Sequence, residues 1–204
     1  MVIKILKILL LSTFWISGGC FAKELAGVLG YQNATKDELW QQKQIGFGVK
    51  NLLEQALLDK TDFSLIDDKV LLGISMDTIE AQLQAQWMLN DAQTHINAIE
   101  KLVEKYQLEH VFWVKITDFS SKTLKLSLAF FSSNEYQDAL TLEVCHYTAM
   151  THQIKCQPGE AEQSRTLTSV LYQPADKVSF SESGVGRLSQ EAINQSLTKL
   201  LSNE

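Results

Sequence analysis

Proline is nearly absent from this chain. Pro158 and Pro174 are the only two in 204 residues, which excludes a long Pro-rich linker or disordered segment. A basic surplus is missing as well. Eighteen Lys and Arg stand against 24 Asp and Glu, for a net charge of −6. Without a basic stripe, neither nucleic acid nor an anionic headgroup surface is an expected partner. There is no internal repeat, heptad array or low-complexity tract. Phosphate loops are missing too. Ser183-Gly184-Val185-Gly186-Arg187 lacks the Walker spacing and its lysine, and Gly46-Phe47-Gly48 reads as an ordinary helix entry.

What is present begins at the N-terminus. Lys4 and Lys7 precede an apolar run from Ile5 to Ile16, and Ser17-Gly18-Gly19-Cys20-Phe21-Ala22 supplies small residues after it. That layout predicts a secretory signal over residues 1–22, too short for a spanning helix. Cleavage after Ala22 leaves Lys23 first and discards Cys20. Lipoprotein processing instead makes Cys20 the lipidated N-terminus and a membrane anchor; Gly19 suits that route and Ser17 does not. Residues 23–204 are expected to form one domain working in the periplasm, anchored to the outer membrane if Cys20 is lipidated.

Either route leaves Cys145 and Cys156 of the three cysteines. If Met150-Thr151 is a turn, the two stand directly opposite on a hairpin. Opposed antiparallel residues have Cα atoms about 4.5–5.5 Å apart, within disulfide range. An oxidising compartment favours the bridge. Free thiols are a second reading. A zinc site of Cys145, His146, His152 and Cys156 is a third, opposed by strand alternation. His146 points away from Cys145, and His152 lies roughly 13 Å along the ribbon.

The hydrophobic pattern predicts the order β-α-β-α-α-β-β-β-β-(β)-α. Strands are expected at Leu25–Tyr31, Phe63–Ile66, His110–Phe119, Thr123–Phe131, Leu140–Tyr147, Gln153–Gln157 and, less regularly, Ser164–Tyr172. Val111-Phe112-Trp113-Val114, apolar on both faces, marks a central strand. Leu124, Leu126, Leu128 and Phe130 alternate as an inward face. Asn134-Glu135 and Pro158-Gly159 read as turns. Val49, Leu52, Leu53, Ala56 and Leu57 form a helical stripe. Met76–Asn90 and Gln93–Tyr106 are further helices, and a last one carries Ile193, Leu197, Leu200 and Leu201 with Ser189 as its N-cap. The fold class is α/β, a mixed sheet of five or six strands packed with helices.

The search for chemistry finds little. Asp67-Asp68 reads as solvated strand-end acids. His95, His110, His146 and His152 have no nucleophile setting. No catalytic residue, cofactor or metal set is expected. Trp113 reads as core. Tyr31 and Trp40, at the base and near the end of the polar loop Gln32–Gln44, are the expected partner-binding residues, since aromatics dominate interfaces.

Several segments resemble the CsgG-like envelope family. Leu25 to Asn33 resembles its opening strand, which ends in an aromatic and an Asn. Ile45-Gly46-Phe47-Gly48-Val49 resembles its glycine-led first helix, and Asp62 to Asp67 its following strand. Tyr106 to Val114 and Ser189 to Ile193 resemble its later strand and terminal helix entrance. The family includes the curli-secretion channel lipoprotein and the penicillin-binding-protein activator LpoB, with a domain similar to the N-terminal domain of TolB. The resemblance implies an α/β envelope domain without catalytic residues that engages another cell-envelope protein, either a peptidoglycan synthase or a secretion complex. The channel members build their barrel from long amphipathic hairpins. Here Ser75–Tyr106 reads as helical, and Thr123–Gln157 carries Lys125 and Glu143 without aromatic girdles, so a pore is not expected. A channel subunit and a thiol-redox protein using Cys145 and Cys156 are the alternatives. The latter lacks a source of thiolate activation.

Overall fold

The computed structural model describes residues 23–66, 92–128, 131–166 and 179–202. Strand β1 (Leu25–Asn33) leads through a 3-10 turn (Glu38–Gln41) into helix α1 (Lys43–Lys60), then the short strand β2 (Ser64–Leu65). Helix α2 (Ala92–Tyr106) precedes three long strands: β3 (His110–Leu128), β4 (Phe131–Thr148) and β5 (Gln153–Thr166). A second 3-10 turn (Phe180–Glu182) opens the final helix α3 (Gly184–Leu201). The five strands lie in the order β2-β1-β3-β4-β5. β1 pairs in parallel with β2 and β3, while β4 runs antiparallel to β3 and β5. The expected mixed α/β sheet is therefore the fold, with α1 as the crossover between the parallel strands β1 and β2.

Both faces of the central strand are buried, as its unbroken apolar run requires. Phe112, Val114 and Ile116 join Leu140, Leu142 and Val144 under α1 and α3, which contribute Val49, Leu53, Leu57, Ile193 and Leu197. On the other face Val111, Trp113, Cys145 and Tyr147 pack with Ile99 of α2. The register shifts between Ile116 and Asp118. This bulge moves Phe119, rather than an even-numbered residue, onto the α1/α3 side, against Trp40.

Three local expectations are corrected. Predicted strands His110–Phe119 and Thr123–Phe131 are one strand as far as Leu128, because Ser120, Ser121 and Lys122 pair with Ala139, Asp138 and Gln137, while Phe131 already belongs to β4. Asn134-Glu135 and Pro158-Gly159 lie inside β4 and β5, not at turns. Pro158 is tolerated because β5 is an edge strand, where a missing N–H costs no ladder bond. Ser183, not Ser189, caps α3, accepting from the Gly186 N–H at 2.9 Å. Ser189 is buried within the helix.

Helix α3 also closes the β5 edge. A Cβ on Gly159 would meet the Ala192 carbonyl oxygen at 1.9 Å, so only glycine lets the helix backbone come this near. Gln195 accepts from the Glu160 N–H at 3.1 Å, and Lys199 Nζ donates to the Pro158 carbonyl at 2.9 Å. Edge groups that would otherwise recruit another strand are thus occupied. The segment expected to be a secretory signal, with Cys20, the helix expected at Met76–Asn90, Asp67-Asp68 and the strand expected beyond Thr166 lie outside the described residues, as do the side chains of Leu124, Leu126 and Leu128. No helix among the described residues is long and apolar enough to cross a membrane.

Candidate functional site: a histidine pair at the strand ends

Register brings His110 and His146 together. Phe112 stands opposite His146 and His110 opposite Thr148, so the two imidazoles are diagonal neighbours on one face. His110 Nδ1 lies 2.8 Å from His146 Nε2. Thr148 Oγ1 reaches the same Nε2 at 3.4 Å. On its outer side His110 Nε2 meets Glu24 Oε2 at 3.0 Å. Phe63 stacks on His110 with centroids 4.5 Å apart.

The environment sets the charge states. His146 is 1% exposed. Burial, reinforced by His110 and Lys155, pulls its pKa down to about 3, so it is neutral at pH 7. Glu109 joins the group from the residue before β3. The ligating atoms of Glu24, Glu109 and His110 all lie within 4.8 Å of one another. Sequence reading missed this set because Glu24 lies far in the chain from the adjacent Glu109 and His110. The parallel pairing of β1 with β3 joins them, and the antiparallel β4 then adds His146.

The other expected sites resolve differently. Cys145 and Cys156 pair in register and form a disulfide, S–S 2.01 Å, with Cα atoms 4.0 Å apart. The zinc and free-thiol readings of that pair are thereby removed. His146 does face away from Cys145, and His152 instead contacts Tyr147 at 3.0 Å and Glu100 at 3.3 Å. Trp40 is corrected outright: its side chain has no exposed surface. It sits edge-on to Phe119, and Tyr31 Oη donates to its carbonyl at 2.5 Å. Burial raises the Tyr31 pKa. The loop is tied down by an Asn33–Thr35–Asp37 series of turns, with Asp37 capping the 3-10 turn. A surface aromatic was expected where the chain places a core one.

The glycines of Gly46-Phe47-Gly48 are seats for rings. A Cβ on Gly46 would fall 1.9 Å from Tyr31 Cε1, and one on Gly48 2.3 Å from the Phe180 ring. Their spacing serves packing. At the far end of the three long strands, Asp138 is fully buried. It accepts from Arg165 Nε at 2.6 Å and Ser121 Oγ at 2.5 Å, which ties β5, β4 and β3 together. Arg165 also lies over the Tyr136 ring, 4.4 Å from its centroid.

No protein-family model matches this chain, and no curated protein does. Solved structures of similar shape include the hypothetical protein CT253 from Chlamydia trachomatis, with TM-score 0.49 and 14% identity over 88% of this chain and 96% of that one. Lipoprotein GNA1162 from Neisseria meningitidis gives 0.43 and 12%, over 89% and 99%. A minor lipoprotein from Acinetobacter baumannii gives 0.32 and 9%, over 88% and 93%. Two of these three are lipoproteins. Similarity at this level says nothing of what the present chain binds.

Proposed function

We propose that this chain is a non-enzymatic domain of the bacterial cell envelope that acts by binding another envelope protein. The observation that carries the reading is the Cys145–Cys156 disulfide, which suits a protein folded outside the reducing cytoplasm. The export signal read at residues 1–22 agrees with it. The polar groups that converge in the described residues are engaged with one another: Asp138 with Arg165 and Ser121, and His110 with His146 and Glu24. Such groups hold a fold more readily than they turn over a substrate. The resemblance to the CsgG-like family makes a peptidoglycan synthase or a secretion complex the partner class.

A second reading, a channel subunit, draws on strand length. β3 has 19 residues and β4 has 18, whereas a membrane-crossing strand needs about 9–11. The sequence opposes it, since Thr123–Gln157 carries Lys125 and Glu143 without aromatic girdles. Carbonate extraction of membranes carrying a Cys20→Ser variant separates the readings, because an integral barrel still resists it, whereas a domain held only by a lipid on Cys20 is then released. In-cell crosslinking with mass spectrometry then identifies the partner. Recovery of the unprocessed chain from the cytoplasm with both thiols free would end the envelope reading.

A further inference from the structure

We propose that Glu24, Glu109 and His110 form a binding site for one divalent transition-metal ion of the zinc class. Their donor atoms lie within 4.8 Å of one another, close enough to share a single cation. Their backbones are held by the sheet. Ser64 N–H donates to the Glu24 carbonyl at 2.9 Å, Glu109 N–H to the Leu25 carbonyl at 2.8 Å, and Ala149 N–H to the Glu109 carbonyl at 2.9 Å. The site therefore sits on strand ends rather than on a free loop.

The His110 ring is fixed from behind. Its Nδ1 faces His146 Nε2 at 2.8 Å, and Phe63 stacks on it. His146 is itself buried and flat against Phe112. With a cation on Nε2, the His110 proton sits on Nδ1 and is donated to His146. Metal-bound histidines are oriented in this way by the partner of their other nitrogen. Charge points in the same direction. Glu24 meets the ring nitrogen at 3.0 Å and the Glu109 carboxylate lies within 4.8 Å of it, so a dication there would balance both negative charges.

An imidazole among carboxylates suits zinc, copper, nickel or iron, while magnesium and calcium prefer oxygen alone. Three protein donors leave a fourth position for water. A cation here would tie the residue before β1 to the residue before β3. The cysteines do not compete for it, because they are joined to each other.

The test is calorimetric titration of the exported, oxidised protein with Zn²⁺ and, separately, with Mg²⁺, alongside thermal melts. One Zn²⁺ per chain is expected, with a raised Tm and no comparable Mg²⁺ binding. Glu24 is exposed and so is Glu109, so Glu24→Gln with Glu109→Gln should fold normally and weaken Zn²⁺ at least tenfold. His110→Ala should abolish binding. His152→Ala, at the exposed pair with Glu100, should leave it unchanged. No saturable Zn²⁺ binding, equal affinity for Mg²⁺, or undiminished affinity in the double variant overturns the proposal.

Discussion

The imidazole of His146 lies flat on the ring of Phe112, centroids 4.3 Å apart and planes 5° from parallel. This contact is made by a neutral ring, and protonation is costly there. His110 and Lys155 face the same imidazole, and Glu24 stands one ring further out.

Acid should therefore destabilise the domain through His146. The unfolded chain binds a proton near pH 6.5, whereas the folded chain resists it until about pH 3. The stability this provides is complete above the unfolded value and is lost as pH falls toward the folded one. Between pH 7 and pH 5 the loss from this group is about 2 kcal/mol. Urea unfolding at both pH values, with a chelator present, checks this. His146→Gln, which does not titrate, should flatten the slope by that amount. Equal slopes in the two proteins would refute the assignment.

The disulfide should matter for stability and not for folding as such. Cys145 and Cys156 are 11 residues apart. A loop that short contributes about 2–3 kcal/mol through the unfolded chain. Changing both to Ser should lower Tm while leaving far-ultraviolet circular dichroism unchanged, because the ladder from Glu135–Thr166 to Thr148–Gln153 already sets the register. Two free thiols by mass in oxidised protein would contradict the structure.

Much of this was legible in the sequence, for identifiable reasons. The disulfide followed from hairpin register, which the turn at Met150-Thr151 fixes. The central strand followed from Val111 to Val114, since a strand apolar on consecutive positions is buried on both faces. Local chemistry misled where long-range pairing decided. Asn134-Glu135 and Pro158-Gly159 carry turn propensity, yet β4 and β5 extend through both because their neighbours supply a ladder. The bulge at Ile116/Asp118 changed which residues face inward, and no strict alternation can anticipate it. The His110–His146–Glu24 group was invisible because it depends on strand order.

Asp138 should be indispensable to the outer part of the three-stranded ribbon. It is wholly buried and holds Arg165 by a 2.6 Å bond. Removing one member of a buried ion pair typically costs about 3–5 kcal/mol, because the remaining charge is left in a poor environment. Asp138→Ala should reach that range in urea unfolding. It should also speed amide exchange near Ser121 and Arg165 before exchange accelerates at Phe112. A loss well under about 1 kcal/mol, the scale of surface pairs, would mean the pair is solvated in solution.

Trp40 gives the sharpest contrast between a surface and a core role. Its position in a polar loop suggests a partner contact, but its side chain is fully buried against Phe119 and within the cluster of Ile45 and Val49. Burying an indole and then deleting it leaves a large cavity, and Trp→Ala in a core costs about 3–5 kcal/mol. Trp40→Ala should therefore lower Tm by many degrees, and Trp40→Phe by less, since the ring that meets Phe119 is retained. Partner capture, counted per folded molecule, should be the same for Trp40→Phe and the parent. The indole N–H, which meets no acceptor among the described residues, contributes no bond to lose. If Trp40→Ala instead kept its Tm and lost only partner capture, the loop would be a binding surface and its buried packing would not persist in solution.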